Sequence, residues 1–490
     1  MFQTGSLRPP DPHGAAGSNG IIATVNLRVA YFNKTGGLIW GPVSFTTFFS
    51  PVGNTGANTD PRAIYDPVAA RFYIVLLENS TSQSFVNLAV SKNPNPLSSG
   101  TSDWFFYRVE VTESFQADKY ALDYPGLGYD AQAIYVTGNM ESLPLTESSV
   151  FKNCQIVIFK KTDALSGTAT FSSAFTPDGS SSGFTLQPAT VLGNSAPTNR
   201  AYFAETPLNS STTVRIWALS DPLGTRSLTS ASVTIPNNGG TSSIDDAPQA
   251  GTTNKIPTIA PYTQGNAFWW NGQIWFCHTA GGSSGKSIVY FYKINANNFP
   301  SNTPTLGEAG GIDGGSGVWN YQPAIGGNAR GDVCMVYCQS SSTTFPAIYC
   351  VARAAGETNF GAPILLKQSP AFSNSDRWGD FATVSADPGD GTFWVCHEWA
   401  KSSAPHDWST WWAQVSVGQP LITALTVSNP LVQLNWTSIS GRTYRVQFKP
   451  DFLQTNWNNL AGDVTATNSI STKTDSLTIP SRFYRISLLP

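Results

Sequence analysis

Seven times along this chain a strand lead-in built on Asp-Pro, Gln-Pro or a close variant runs into a Gly/Asn/Asp turn. An apolar strand then leaves the turn and ends in a polar residue. The lead-ins are Asp11-Pro12-His13, Asp60-Pro61-Arg62, Asp123-Tyr124-Pro125, Gln187-Pro188, Pro261-Tyr262, Gln322-Pro323 and Gly379-Asp380. The strands end near Asn26, Glu78, Asn139, Glu205, His278, Gln339 and His397. A strand-rich unit of about 60 residues cannot bury its apolar face alone, so repeats must pack on one another, and radial closure leaves only short edges. The repeat therefore predicts an all-β chain: a seven-bladed β-propeller over 1–418, then a small β-sandwich over 419–490.

The second unit shows the blade pattern most fully. Asp60 to Tyr65 reads as a short strand, Asp66-Pro67-Val68-Ala69-Ala70 as a turn, and Arg71 to Leu77 as an apolar strand. Phe85 to Ser91 and Trp104 to Glu110 complete four strands, one blade. Asn271-Gly272 and Asp390-Gly391 are pairs that suit tight hairpins, whose two central positions take positive φ. From about Gly418 the repeat stops, and the strands Leu431–Trp436, Thr443–Gln447 and Arg482–Ile486 read as a separate sandwich with Trp436 and Trp457 as core anchors.

Charged residues make up only 12% of the chain, against about 25% in an average soluble protein. With 15 Trp and 40% hydrophobic residues the chain can build cores, so disorder is excluded. A net charge of −3 and no Lys/Arg-rich stripe argue against nucleic acid as a partner. No apolar run has membrane-spanning length. Met1 to Pro12 carries no basic-then-apolar leader, and the strand-and-turn composition predicts an exported protein whose signal segment is absent here. Six Cys include no CxxC pair. Cys338 and Cys350 flank a Ser/Thr-rich connection and either form a cross-strand disulfide or, like the other four, sit as small buried strand residues.

The segments DPRAIYDPVAARFYIV, ALDYPGLGYDAQAIYVTGN and RWGDFATVSADPGDGTFWV resemble repeats of large secreted bacterial propeller proteins. The tail LNWTSISGRTYRVQFKPDFLQTNWNNLAGD resembles the immunoglobulin- or fibronectin-like C-terminal modules of secreted proteins of the Verrucomicrobia and Planctomycetes type. Ser385 to Phe393 is similar to the Asp-box of sialidase-type propellers, which implies a turn element on the face away from an active site. The resemblance implies architecture and attaches no single activity.

In a propeller the inner strand of each blade starts on the top face and the second strand returns there. Asp11, Asp60, Asp123 and Asp380 then form one ring at the tunnel mouth, and the strand-ending residues Asn26, Glu78, Asn139, Glu205, His278, Gln339 and His397 form another. All four histidines, His13, His278, His397 and His406, map to this face. Histidine suits proton transfer and metal ligation near neutral pH, and it leaves a divalent metal, calcium or zinc, as a candidate cofactor. His278, His397, Asp380 and Asp123 are the candidate catalytic groups. Arg62 and Arg377 are placed to clamp a carboxylate or sulfate, Tyr124 and Trp378 to stack on sugar rings, and Asp60, Glu78 and Glu205 to bind. The same Asp-Pro and Gly-Asp carboxylates also serve as turn and cap chemistry.

No GxSxG, HExxH or P-loop pattern is present. The first reading is a secreted propeller that binds a polysaccharide or a cell-surface glycan or protein at its top mouth. The alternative is a polysaccharide hydrolase or lyase using His and carboxylates of that face. A third is a structural component of an extracellular assembly.

Overall fold

The inner strands pack against one another in a closed circle, which explains why the repeat had to run the length of the chain. In the computed structural model they are His13–Ala16, Asn58–Asp66, Asp118–Tyr129, Gln187–Leu192, Thr263–Trp270, Val318–Gly327 and Thr383–Ala386. Each contacts the next, and the last returns to the first. The structure describes residues 8–490 apart from positions 57, 147, 179–182, 194–196, 209, 240–243, 259–261, 283–284, 419, 429, 440, 452, 478–480 and 490. Pro261 of the fifth lead-in therefore lies outside the described residues.

From each inner strand the chain meanders outward through antiparallel neighbours, as in Asn58–Asp66, Arg71–Asn79, Ser84–Ser91 and Trp104–Glu110. The seventh blade has three described strands, ending with Trp408–Val415. The inner strands of the fourth and fifth blades are also joined by a parallel ladder, Ala189–Leu192 on Ala267–Trp270. The fold is an all-β propeller, and its cores lie in the seams between blades. Tyr31 meets Phe72 between the first and second, and Leu88 meets Leu127 and Val136 between the second and third. Trp394, Trp408 and Trp412 on Ile21, Ala23 and Ala30 close the ring between the seventh and first.

The hairpin turns at the lower face repeat one piece of chemistry. Asp66 Oδ1 accepts from Val68 and Ala69 N–H while Tyr73 OH donates to Oδ2. Asp130 does the same with Gln132, Ala133 and Tyr135, and Asp387 with Gly389 and Trp394 Nε1. These Asx turns free the hairpin from needing two left-handed residues. Asn271 (φ 47°) and Gly272 (φ 83°) are both left-handed as expected. In Asp390-Gly391 only Gly391 is, at φ 71°, because Asp387 organises that turn.

In four blades the inner strand begins at or just after the lead-in, at His13, Gln187, Thr263 and Thr383. In the second, third and sixth the lead-in is instead a bulge inside the strand, with pairing already under way at Asn58, Tyr120 and Val318. The register slips by one residue between Thr59 and Arg62, between Asp123 and Gly126, and between Tyr321 and Ala324. Proline has no N–H to give the ladder, so the strand bulges where Pro61, Pro125 and Pro323 stand.

After the propeller, Ile422–Ser428, Leu431–Thr437 and Ile470–Ser476 form one sheet, and Thr443–Lys449 with Phe483–Leu488 and two short strands form another. Leu434 and Trp436 of the first share a core with Tyr444 and Val446 of the second. Arg442 Nη2 donates to Asp332 Oδ1 at 2.5 Å, tying this unit to the sixth blade. All six cysteines are buried thiols. Cys338 pairs with Ile348 and Cys350 with Val336, so Cys338 and Cys350 are not opposite, and the buried-strand alternative describes them.

Candidate functional site

The lead-ins turn side chains off the blade faces into the upper tunnel. Asp11 (φ 47°), Asp60 (φ 56°), Tyr124 (φ 52°) and Gln322 (φ 51°) all take left-handed backbone there. Asp tolerates that conformation readily, but Tyr and Gln do so at a cost of about 1–3 kcal/mol each, strain typical of functional or tightly constrained sites.

Hydrogen bonds stitch the mouth from blade to blade. Asp380 N–H donates to Asp11 Oδ1 at 2.7 Å, and Asn26 Nδ2 donates to Asp11 Oδ2 at 2.5 Å. Asp60 N–H donates to Asn26 Oδ1 at 3.0 Å. Arg377 Nη2 holds Asp380 Oδ2 at 2.7 Å. Tyr124 spans the tunnel, its OH donating to the Asp380 carbonyl at 3.4 Å, with its ring 5.0 Å from Phe381 and 6.1 Å from Tyr262. Below them the Arg62 guanidinium lies 3.6 Å from the Phe381 ring centre, and its Nε donates to the Pro125 carbonyl at 2.9 Å. Depth increases in that order: the Arg377 side chain is 47% exposed and Asp380 12%, while Asp11 and Arg62 are 0% exposed.

Burial in this well shifts its carboxyls toward the protonated form to different extents. Burial pushes Asp123 up to about 8, with the charges of Asp60, Glu141 and Asp380 adding to it. Burial lifts Glu141 to about 7. Asp380 rises to about 6, where burial outweighs the pull of Arg377 toward the charged form. Burial raises Asp11 well above the carboxylate range, then Asp380 and Asp60 raise it further. Burial also raises Asp60, against hydrogen bonding by Thr59 and the charge of Arg62.

The structure thus brings together Asp11, Asp60, Asp123, Asp380, Arg62, Arg377 and Tyr124. It adds Glu141 and Glu398, which sequence reasoning missed. Glu398 Oε1 accepts from Gly379 N–H, and burial raises its carboxyl. Its one signal was its place beside a strand-ending residue, and Glu141 had none.

Other expected site residues go elsewhere. Burial pushes Glu78 up, but hydrogen bonds from Arg108, Thr55 and Asn87 overcome it and hold the carboxyl down at about 2. It is a structural ion pair, with Arg108 Nε at 2.8 Å. Glu205 is fully buried against Arg215 and Trp217. Trp378 is 2% exposed and packs on Tyr321, Cys338 and Ala400, so it offers no face to a sugar ring.

The histidines do not form one centre. His278 is buried in the fifth blade, stacked on Tyr292 with its Nε2 2.9 Å from the Tyr292 hydroxyl. His397 Nδ1 accepts from Glu398 N–H at 2.9 Å, and its Nε2 meets the Gln322 carbonyl at 2.9 Å. Burial lowers it to about 4, so it stays neutral. His13 Nδ1 accepts from Ala63 N–H, and His406 Nδ1 lies 3.1 Å from Ser375 Oγ. A buried ring with both nitrogens held by backbone, as in His397, is a latch between blades and not a proton carrier. Among the described residues no group of three or more His, Cys, Asp or Glu side chains is arranged to hold a metal ion. None of their helices is long and apolar enough to cross a membrane.

No protein-family model matches the chain, and no curated protein matches it. Among solved structures, an exo-1,5-α-L-arabinanase from a bovine ruminal metagenomic library is 14% identical with a TM-score of 0.30, covering 63% of this chain and 100% of its own. An α-L-arabinofuranosidase from Clostridium thermocellum is 12% identical with a TM-score of 0.31, over 63% of this chain and 94% of its own. The N10 neuraminidase-like protein of an influenza A virus from a little yellow-shouldered bat is 9% identical with a TM-score of 0.36, over 69% and 93%. These are likenesses of chain path at low identity.

Proposed function

We propose that the chain is a glycan-acting hydrolase whose site is the carboxyl well at the top mouth. One observation carries this reading: Asp11, Asp60, Asp123 and Asp380 gather at one mouth with Arg377, and burial there lifts Asp123 further than Asp380, to about 8 against about 6. Glycosidic hydrolysis needs one carboxyl that keeps its proton to protonate the leaving oxygen. It needs a second, ionised one to act as base or nucleophile. Asp123 fits the acid. Asp380, tied to Arg377 and lying at the mouth, fits the ionised partner, and Tyr262 and the half-exposed Arg377 are placed to meet the substrate.

Binding without turnover keeps one supporting observation. Asp11 gives one carboxyl oxygen to Asp380 N–H of the seventh blade and the other to Asn26 of its own, which suits a rigid recognition surface. Export of the protein and a domain boundary at 418/419 belong to the same proposal. The test is a screen of neutral and acidic polysaccharides for new reducing ends, repeated with Asp380→Asn and Asp123→Asn. Loss of about 100-fold or more in each, with unchanged circular dichroism, supports the assignment. Retained turnover in both sinks it, and no product from any substrate with measurable glycan affinity favours the binding reading.

A further inference from the structure

Beneath the carboxyls lies a buried positive charge with nothing bonded to its end. Arg62 is 0% exposed. Its Nε is committed to the Pro125 carbonyl, but Nη1 and Nη2 have no hydrogen-bond partner among the described residues. A buried guanidinium in that state is costly, since buried charges are ordinarily paired and hydrogen-bonded. The Phe381 face stacked on it satisfies the cation weakly and none of its N–H groups.

Two further unpartnered donors follow round the same turn of the ring. His13 Nδ1 accepts from the N–H of Ala63, the residue next to Arg62. Its Nε2 must then carry the proton, and it is buried without a partner among the described residues. On the other side Arg62 grips Pro125, and the following residue, Gly126, lies against Gln187: a Cβ there would sit 3.0 Å from Gln187 Oε1. The Gln187 amide is fully buried, and neither its nitrogen nor its oxygen has a partner among the described residues. His13 and Arg62 each stand one residue beyond the bulge proline. The matching positions in later blades are Gly126, Ala189, Ala267, Ala324 and Ala382, small residues with no polar side chain to meet the guanidinium.

We propose that Arg62 Nη1 and Nη2, His13 Nε2 and the Gln187 amide form a binding site for a small monovalent anion of halide size inside the tunnel. Burial holds Asp11 toward its protonated form, and Asp60, raised by burial against the charge of Arg62, makes no hydrogen bond to the guanidinium ends among the described residues. Tyr124, bridging to Asp380 above, restricts passage from the mouth to small ions. The site needs no glycan chemistry and stands apart from the hydrolase reading.

Bromide is the probe. Crystals of the whole chain soaked in sodium bromide should show an anomalous peak within about 3.5 Å of the Arg62 Nη atoms. In solution, Tm should rise with chloride or bromide relative to gluconate at matched ionic strength, since a ligand of the native state stabilises by mass action. Arg62→Met should abolish that rise while keeping most of the volume. If Arg62→Met does not fold, the wild-type soak and the chloride-against-gluconate comparison still decide. Ordered water alone beside Arg62, or equal Tm values in chloride and gluconate, overturns the site.

Discussion

Replacing Asp123 with asparagine removes one ionisable proton from the well while keeping the side-chain shape. Asp123 titrates near 8 in the folded chain, against an ordinary value of 3.8. A carboxyl raised in this way favours the folded state fully below its unfolded value. That advantage is lost as pH rises toward the folded value, because the native state holds a proton the unfolded chain has released. By pH 7 the loss is at most about 4 kcal/mol at ~1.4 kcal/mol per unit. Solvent at the mouth and relief among neighbouring carboxyls bring the working figure to about 2 kcal/mol. The histidines act in the opposite direction but at lower pH. His13 and His397 are held neutral by burial, so their contribution grows up to about pH 6.5 and is then constant. From pH 6.5 to 8.5 the histidines are constant, and Glu141, at about 7, lowers stability in wild type and variant alike, so the difference between the two reports Asp123. Urea unfolding there should show wild-type stability falling with pH and Asp123→Asn falling less, the variant being the more stable at pH 8.5. Parallel curves, or a variant less stable than wild type at pH 8.5, would refute the burial argument and with it the assignment of Asp123 as a proton-holding acid.

Glu78→Gln should destabilise by about 2–3 kcal/mol at pH 7, since it leaves the Arg108 guanidinium without its charged partner; wild-type stability from this pair should vanish only as pH falls from about 4.5 toward 2, read by acid titration of the unfolding midpoint. Gly138→Ala should cost about 1–3 kcal/mol, because a Cβ there would overlap Leu122 and lie 3.0 Å from the Asp123 carbonyl; denaturant unfolding measures it, and an unchanged midpoint counts against the packing. Trp436→Ala should cost the C-terminal unit about 3–5 kcal/mol, with residues 419–490 produced alone giving a cooperative melt that the variant lacks; no melt in the wild-type piece defeats the proposed boundary.

Hydrophobic alternation and turn residues made the repeat legible, because each blade's strands are decided by local pattern and by the Asp or Asn at its hairpin. The sequence also pointed to Asp11, Asp60, Asp123 and Asp380, since all four sit on the same repeated motif. Reading that motif as a strand start holds where the inner strand begins at His13, Gln187, Thr263 and Thr383. It fails in the second, third and sixth blades, because nothing local shows that pairing continues upstream of a proline to Asn58, Tyr120 or Val318. Sequence reasoning also weighted the histidines by residue type. Whether a histidine is a proton carrier or a latch depends on what meets its nitrogens, and for His397 these are the Glu398 N–H and, from another blade, the Gln322 carbonyl. Glu141 carries no sequence mark, and Glu398 only its place beside His397. They join the well only because ring closure brings the third and seventh blades to one mouth. The chain by itself determined which residues repeat and which end of each blade they occupy. Only the closed ring decided which of them share a low-dielectric space, and hence which keep a proton, because desolvation and charge coupling are properties of that shared volume and not of the residues along the chain.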